Sequence, residues 1–310
     1  MMKGYEALRE SAAWIDVSGR GKIRVTGEDR ARLLHAMTTN QIQLLTPGQG
    51  CYTFFLNAQG RILADANVLI EEEAILLDTE PETRQKVFQH LDQYIIADDA
   101  TPEDVTDALA TIAIDGPHAS DVLKGLSAPV PQEDQAWQAW GNRMVLRASI
   151  TGPVGWLMFV PVQEKQAFIE SLGGLPEADG EAAHAVRLEN GKPRYGEEIT
   201  ERFLLQETGQ MHAVNFSKGC YLGQEIVERV RSRGQVHRHL LPVQIDTQQP
   251  PAACTKLTAD GKELAEVMSA AFSPALNKVV AMAYVRTDAA RPGFELHYGD
   301  APAIVGPLSR

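Results

Sequence analysis

Hydrophobic and polar residues follow two different periods through the first 239 residues. A period of two, typical of strands, marks residues 22–26, 52–56, 61–70, 74–78, 111–114, 144–148 and 157–160. Apolar residues three and four positions apart predict helices over 28–37, after Pro81 and over 163–172. A break at 57–60 separates two long strand patterns and predicts a hairpin. We therefore expect helices and strands to pack together in mixed α/β layers.

The pattern changes after His239. Short strand patterns at 241–245, 263–268, 279–285 and 294–297 are separated by turn residues, without a convincing helix between them. We expect a small all-β domain over residues 240–310, closed as a barrel, after an α/β region over residues 1–239. Residues 127–138 are rich in Pro and Gln and predict a surface connection within that first region.

Composition narrows the class of protein. The 310-residue chain is 44% hydrophobic and 23% charged, which is ordinary for a soluble globular protein. Its net charge of −12 disfavours stable direct binding of nucleic acid or of an anionic membrane. No apolar run reaches the length of a membrane span or a signal-peptide core, so we expect a cytoplasmic protein. Its three cysteines form no CxxC pair and predict neither a disulfide framework nor a metal site.

One cysteine lies in an informative setting, the octapeptide KGCYLGQE at 218–225. Cys220 stands between two glycines and just before a segment in which Ile226, Val227 and Val230 follow a helical period. A thiol before a helix is close to the positive end of the helix dipole, which favours the thiolate. The local sequence leaves both a reactive thiol and a small packed side chain open. The motif residues are Lys218, Gly219, Cys220, Tyr221, Gly223, Gln224 and Glu225.

The octapeptide resembles the signature of the YgfZ-type folate-binding proteins, which are related to the glycine-cleavage T-protein, an aminomethyltransferase. Other segments resemble landmarks of these relatives in the same order, namely 16–18, 21–27, 38–42, 45–48, 116–117, 187–191 and 206–207. The resemblance implies an α+β fold, a T-protein-like ring of two α/β lobes and a C-terminal antiparallel β-barrel. It also implies tetrahydrofolate, or a derivative, as a cofactor in the central hole.

The resemblance gives candidate roles to residues near that hole. Asp65 matches the acid that faces the reacting nitrogen of the folate, and Arg187 matches an arginine near its benzoyl-glutamate part. The residues by themselves also allow a solvated carboxylate and a plain salt bridge at these positions. A glutamate that holds the pterin ring in aminomethyltransferases is replaced here by Pro153, which has no side-chain acceptor. A complete glycine-cleavage site is therefore not expected.

Other residues are further candidates for binding the same cofactor. Tyr52 would line a pterin pocket or belong to the core, and Asp78 would contact the cofactor from the end of its strand. Arg229 belongs to a basic cluster that would bind an anionic folate tail or remain a solvated helix face. This cluster consists of Arg229, Arg231, Arg233, His237, Arg238 and His239. A Cys–His pair of Cys220 with His212 would lack an orienting group that the sequence identifies.

The resemblance implies a folate-binding accessory protein that supports assembly or repair of iron–sulfur proteins and thereby affects tRNA modification. Its partners would be a reduced folate and iron–sulfur client or assembly proteins. The catalytic candidates are Asp65 and Cys220, with Cys220 acting as a nucleophile, a redox-sensitive group or a transient ligand. The alternatives are a folate-dependent one-carbon transferase and an interaction module with an empty pocket. The main interpretation requires that the Cys220 thiol and the folate cavity share one water-accessible site.

Overall fold

The structure, a computed structural model, describes residues 2–234 and 236–306, without the side chain of Arg233. Within these residues the α-helices are α1 (Tyr5–Glu10), α2 (Arg30–Met37), α3 (Arg84–Tyr94), α4 (Ala119–Gly125), α5 (Lys165–Ser171), α6 (Gly180–Glu189) and α7 (Gln224–Arg233). None of these helices is long and apolar enough to span a membrane.

The β-strands of the described residues form three separate sheets. In chain order they are β1 (Ala13–Asp16), β2 (Gly21–Thr26), β3 (Gly50–Leu56), β4 (Ile62–Ile70), β5 (Ala74–Thr79), β6 (Thr101–Asp104), β7 (Leu109–Asp115), β8 (Trp137–Trp140), β9 (Arg143–Leu146), β10 (Gly155–Pro161), β11 (Arg238–Ile245), β12 (Lys256–Ala259), β13 (Lys262–Ser273), β14 (Lys278–Arg286), β15 (Glu295–Tyr298) and β16 (Ala301–Val305).

The first lobe is a five-stranded antiparallel sheet in the order β3-β4-β5-β2-β6. Successive side chains along a strand point to opposite faces of a sheet. On one face Val25, Phe55 and Leu77 share a buried core with Leu34 of α2 and Val87 of α3. The predicted hairpin over β3 and β4 is present, with its turn at 57–60.

The opposite face of this sheet carries a row of polar side chains across three strands. Tyr52 on β3 pairs with Asn67 on β4, and Asn67 pairs with Asp78 on β5. Asp65 is two residues before Asn67 on β4 and therefore lies on the same face. These four side chains all lie on the face away from α2 and α3. A polar binding site on this lobe would therefore be on that face.

The second lobe is also a five-stranded antiparallel sheet, in the order β1-β7-β10-β9-β8. Ile112, Trp156 and Phe168 belong to the core that this sheet forms with α4 and α5. On the other face Ala113 and Leu157 join the side chains of α1 and α6 in a second core that reaches into the C-terminal domain. The two faces are therefore both covered.

The C-terminal domain is a closed antiparallel barrel in the order β11-β14-β13-β12-β15-β16. The predicted barrel is thus confirmed, and its first strand begins at Arg238. The ring of Tyr284 on β14 stacks on Phe203, with the ring centroids 3.6 Å apart, and joins the barrel to the preceding region. Residues 307–310 of the predicted C-terminal domain lie outside the described residues.

The strand and helix patterns missed some elements and misjudged one segment. Not predicted were α1, α4, α6, β1, β6, β8, β12 and β16. Most of these have four to seven residues and so show too few periods, while the ten-residue α6 buries alanines on several sides. The expected surface connection at 127–138 is exposed at 132–134, but its last two residues begin β8, and Asp134 and Gln135 also line a cavity between the lobes.

Candidate functional site

A cavity of about 530 Å³ lies between the two lobes. The first lobe contributes Tyr52 and Asp65 from its polar row and Glu80 just after β5. The second lobe contributes residues 147–150 after β9, and residues 192–194 line the cavity after the end of α6. This volume and the mixture of polar and apolar walls suit a small organic ligand or cofactor.

Asp65 is the titratable group in this cavity with the most unusual environment. Its side chain is 6% exposed, and Oδ2 accepts a 2.7 Å hydrogen bond from the Tyr52 hydroxyl. Oδ1 is buried without a hydrogen-bond partner among the described residues. Burial and, to a smaller extent, the negative charge of Glu80 raise the pKa of Asp65 to about 7, against the opposing effects of Tyr52 and Arg20. Asp65 can therefore hold or release a proton near neutral pH.

Beneath Asp65 lies a buried ion cluster that the sequence did not reveal. The guanidinium of Arg20 donates to Asp78 at 2.9 to 3.0 Å and also to Glu80. Burial by itself would raise the pKa of Glu80, but the positive charges of Arg20 and Arg194 lower it below its usual value. Glu80 therefore stays ionised beside Asp65, which favours the protonated form of Asp65.

The structure places Asp78 in this cluster and not among the residues that line the cavity. Its carboxylate is fully buried, bonded to Arg20 and to the Asn67 amide at 2.8 Å. Because these donors already satisfy it, Asp78 is not free to contact a ligand, contrary to the expectation from its place at a strand end. Its role is to hold Arg20.

Arg187 lies in the cavity wall, but its donors are engaged within the protein. It is 4% exposed, and its two terminal nitrogens donate to Glu198 at 2.8 and 3.0 Å. One of these nitrogens also donates to Glu197 at 2.6 Å and the other to the Lys192 carbonyl at 2.7 Å. The geometry favours a buried salt bridge over an arginine that is free to bind a folate carboxylate.

Other cations face the cavity and were not singled out from the sequence. Arg147 stacks over Trp156 and donates to the Gly155 carbonyl at 2.8 Å, while Arg194 pairs with Glu80 at 3.0 Å. Lys192 donates to the Ser149 carbonyl, and burial lowers its pKa. They were missed because Arg147 is distant in sequence from Lys192 and Arg194, and no local pattern marks these residues as neighbours in a cavity.

The segment 151–153 forms part of the cavity wall without supplying a carboxylate. Asp115 holds it in place, since its Oδ2 accepts from the Thr151 amide at 2.7 Å and from the Thr151 hydroxyl at 2.8 Å. Gly152 and Pro153 then line the cavity. The side chain at position 153 offers no hydrogen-bond acceptor, as the sequence indicated.

The octapeptide 218–225 has a clear structural function. Lys218 is 5% exposed and donates to three carbonyls at the end of α2, those of His35, Thr38 at 2.6 Å and Asn40 at 2.8 Å. Carbonyls at a helix C-terminus lack intrahelical donors, so a buried ammonium satisfies them. Burial also lowers the pKa of Lys218 to about 7. Tyr221 is buried nearby, whereas Glu225 is exposed and Gln224 begins α7.

Cys220 is exposed and does not line the cavity. The thiol is therefore water-accessible, as expected, but the expected shared site with the folate cavity is not found. The reason is that the Lys218 anchor fixes the chain against α2, while residues 219–220 turn outward before α7. Any chemistry of Cys220 takes place outside the cavity in this conformation.

The remaining candidates divide between the cavity and the outer surface. His212 lines the cavity and stacks on Tyr52, with the ring centroids 5.4 Å apart. Because Cys220 does not line the cavity, the two residues do not form a Cys–His pair there. Arg229 is exposed on α7 and is not part of the cavity wall. Arg238 of the same basic cluster pairs with Glu207 at 2.8 Å, and the side chain of Arg233 lies outside the described residues. Among the described side chains of this cluster, Arg229, Arg231 and His237 are exposed, and Arg238 and His239 are half-buried.

Comparison with known proteins finds similarity over both parts of the chain. Residues 1–218 match the family model of the GCVT N-terminal domain, and residues 238–300 match that of the glycine cleavage T-protein C-terminal barrel domain. The chain is 30% identical to an aminomethyltransferase of Streptomyces coelicolor over 313 residues, which cover 94% of this chain and 82% of that protein. It is 26% identical to a putative chloroplastic transferase of Arabidopsis thaliana, over 96% of this chain and 71% of that protein.

A solved structure shows the same fold. The aminomethyltransferase T of the glycine cleavage system from Bartonella henselae matches with a TM-score of 0.89 and 22% identity, over 98% of this chain and 88% of that chain. This similarity confirms the predicted arrangement of two lobes and a C-terminal barrel.

Proposed function

Because the chain belongs to the glycine cleavage T-protein family of folate-dependent aminomethyltransferases, as both of its matched domains show, we propose that it binds a reduced folate between its lobes. Asp65 would then be the acid–base group for one-carbon chemistry on that folate. The observation that carries the proposal is the setting of Asp65, a buried carboxyl whose pKa is raised to about 7 and whose Oδ1 has no hydrogen-bond partner among the described residues.

The chemistry explains why such a carboxyl is useful. Moving a one-carbon unit between an amine and a folate nitrogen requires one nitrogen to lose a proton and another to gain one. A carboxyl whose pKa lies near the working pH performs both transfers, whereas an ordinary aspartate is almost always ionised. Burial and the negative charge of Glu80 raise the pKa of Asp65, and the Tyr52 hydroxyl fixes the orientation of its carboxyl.

The charged walls suggest how the folate lies. Its pterin ring would face Tyr52 and Asp65, and its carboxylates would meet cationic side chains of the cavity wall such as Lys192. Arg187 is the less suitable tail contact, because Glu197 and Glu198 already occupy its terminal nitrogens. The tail of the folate is therefore assigned here to cations other than the one that the resemblance implied.

The test separates binding from chemistry. Titration calorimetry with tetrahydrofolate should show saturable binding to the wild type and to the near-isosteric Asp65→Asn variant. Exchange of a labelled carbon between methylene-tetrahydrofolate and added amines should fall by about 100-fold or more in Asp65→Asn. Asp260→Asn, which alters an exposed carboxylate in a barrel turn, is the matched control. Absence of saturable folate binding at high micromolar concentration would overturn the proposal.

A second candidate function is support of iron–sulfur proteins by a YgfZ-type cytoplasmic factor, with an effect on tRNA modification through client enzymes. The observation that favours it is the exposed Cys220 within the KGCYLGQE octapeptide, outside the cavity and accessible to a partner protein. Pro153 in the cavity wall also argues against a complete glycine-cleavage site.

Complementation of a deletion strain tests this second candidate. Iron–sulfur enzyme activity should be restored by the wild type and by Cys254→Ala, which removes the other exposed cysteine. Cys220→Ala should fail to restore it while keeping tetrahydrofolate binding. Full restoration by Cys220→Ala would remove the thiol from this function and leave the transferase proposal unaffected.

A further inference from the structure

The chain around Gln135 crosses from the second lobe onto the first lobe beside the cavity. The Gln135 amide donates to the Arg147 carbonyl at 3.0 Å, and the Trp137 amide and indole donate to the Gly48 and Ile70 carbonyls at 2.9 and 3.0 Å. The Gln135 carbonyl lies so close to Gly50 that a Cβ there would be 2.5 Å from it. The backbone at Gln135 is therefore fixed against the beginning of β3.

Gln135 adopts a backbone conformation that is unfavourable for its residue type. Its φ of +64° lies in the left-handed region, which a glycine enters without strain and most other residues avoid. Such conformations are found in turns and are enriched at ligand-binding and active sites. The presence of a long amide side chain at this point therefore needs an explanation.

The side chain of Gln135 has an unmet hydrogen-bonding capacity. It lines the cavity, and its Oε1 is buried without a partner among the described residues. The other cavity-lining side chain with such an atom is Asp65, through Oδ1. Native proteins satisfy nearly all buried polar atoms, so two unpaired oxygens on one cavity indicate a ligand with donors. The terminal torsion of Gln is broad, which allows the amide plane to turn toward such a ligand.

The position of Gln135 fits one end of a bicyclic ring. Gly50, which contacts its backbone, and Tyr52, which holds Asp65, are two residues apart on β3. Two residues of a strand span about 7 Å, which is close to the length of a pterin. A ring that reaches Asp65 at one end can therefore reach the Gln135 amide at the other.

We propose that Gln135 is a specificity-determining residue whose side-chain oxygen accepts hydrogen bonds from the N3–H and 2-amino donors of a reduced pterin. This inference rests on the folate binding proposed above and names the part of the folate that the protein selects. It also accounts for Pro153, since the acceptor that position 153 does not supply is supplied by Gln135 beside the start of β3.

The experiment combines a variant of the protein with a variant of the ligand. Gln135→Gly removes the amide and suits the left-handed backbone, so its thermal midpoint should equal or exceed that of the wild type. Its Kd for tetrahydrofolate should rise about tenfold, because one buried hydrogen-bond acceptor is lost. The wild type should bind a tetrahydrofolate analogue without the 2-amino group about tenfold more weakly, and Gln135→Gly should bind both ligands equally.

A control and the contrary outcomes make the test decisive. Ser127→Gly makes the same backbone change at another left-handed position, φ +55°, in an exposed residue outside the cavity wall, and should bind both ligands as the wild type does. An unchanged Kd in Gln135→Gly, or weakened binding that still discriminates between the two ligands, would overturn this inference alone. Absence of tetrahydrofolate binding by the wild type would overturn the proposed function as well.

Discussion

Three buried aspartates show how the surroundings of a residue determine its chemistry. Asp78 accepts hydrogen bonds from the guanidinium of Arg20, whereas Asp115 accepts hydrogen bonds from hydroxyl and amide donors of 149–151. Asp65 has one donor, Tyr52, and a negative neighbour, Glu80. All three carboxylates are buried, and Asp65 has the fewest hydrogen-bond donors of the three among the described residues. This is why Asp65 is the acid–base candidate.

The raised pKa of Asp65 predicts a specific dependence of stability on pH. An aspartate in the unfolded chain has a pKa near 3.8, and the folded state raises it to about 7. Between these values the folded protein binds a proton that the unfolded chain releases, so the free energy of unfolding should decrease as pH rises from about 4 to about 7. Asp65→Asn should lack this contribution, and its stability relative to the wild type should increase across the window on the order of 2–4 kcal/mol.

Urea denaturation of both proteins at pH 5 and pH 8 measures this difference. Asp260→Asn removes an exposed carboxyl, and its free energy of unfolding should match that of the wild type at both pH values. Parallel pH profiles for the wild type and Asp65→Asn would contradict the environment assigned to this carboxyl.

At the scale of elements, the octapeptide chiefly serves to pack α7 against the β3–β4 turn. Gly223, in the left-handed region at φ +84°, begins the helix directly above Asn57, and a Cβ on it would be 2.6 Å from the Asn57 carbonyl. From the other side, a Cβ on Gly60 would be 2.9 Å from Ile226. Two glycines therefore permit a contact that side chains would prevent, and Lys218 fixes the preceding segment to α2.

We predict that Gly223→Ala destabilises the protein far more than Gly234→Ala. Both glycines flank α7 with positive φ, but a Cβ on Gly234 would have no neighbour within 4 Å. Gly234→Ala should therefore cost about 1 kcal/mol, from backbone strain, while Gly223→Ala adds a steric clash and should cost about 3 kcal/mol or more. Thermal and urea denaturation of the two variants provide the comparison. Equal losses would show that α7 does not depend on its close approach to the turn.

At the scale of the whole molecule, Glu198 is fully buried where the cavity wall meets the barrel. Its carboxylate accepts from Arg187 at 2.8 and 3.0 Å, from the Arg194 amide at 2.8 Å and from the Ser269 hydroxyl of β13. Its carbonyl accepts from Tyr284 of β14 at 3.1 Å. One side chain thus links the cavity wall to the barrel, and Arg187 supplies the charge that makes its burial tolerable.

Replacement of Arg187 should therefore act first on stability. Arg187→Met leaves Glu198 buried without its cation and should cost about 3–5 kcal/mol of unfolding free energy. Arg231→Met, which breaks an exposed pair with Glu228, should cost less than about 1 kcal/mol. Urea denaturation provides both values. An Arg187→Met variant of unchanged stability but weakened tetrahydrofolate binding would restore Arg187 as the folate-tail contact.

The sequence by itself determined most of the long elements and the closed C-terminal barrel and, through a family motif, singled out Asp65 as a candidate. Periodicity identifies an element when its length covers several turns or alternations, as in β4 or α3, and a family motif identifies a single residue within it. Only the tertiary structure decided which candidates are free to act. Arg20 and Asp78 are 58 positions apart, and Lys218 meets the end of α2 about 180 positions away, so folding alone shows that these groups are already paired. It also separated Cys220 from the cavity and brought Gln135 into it, because burial and hydrogen-bond partners are properties of contacts between distant segments.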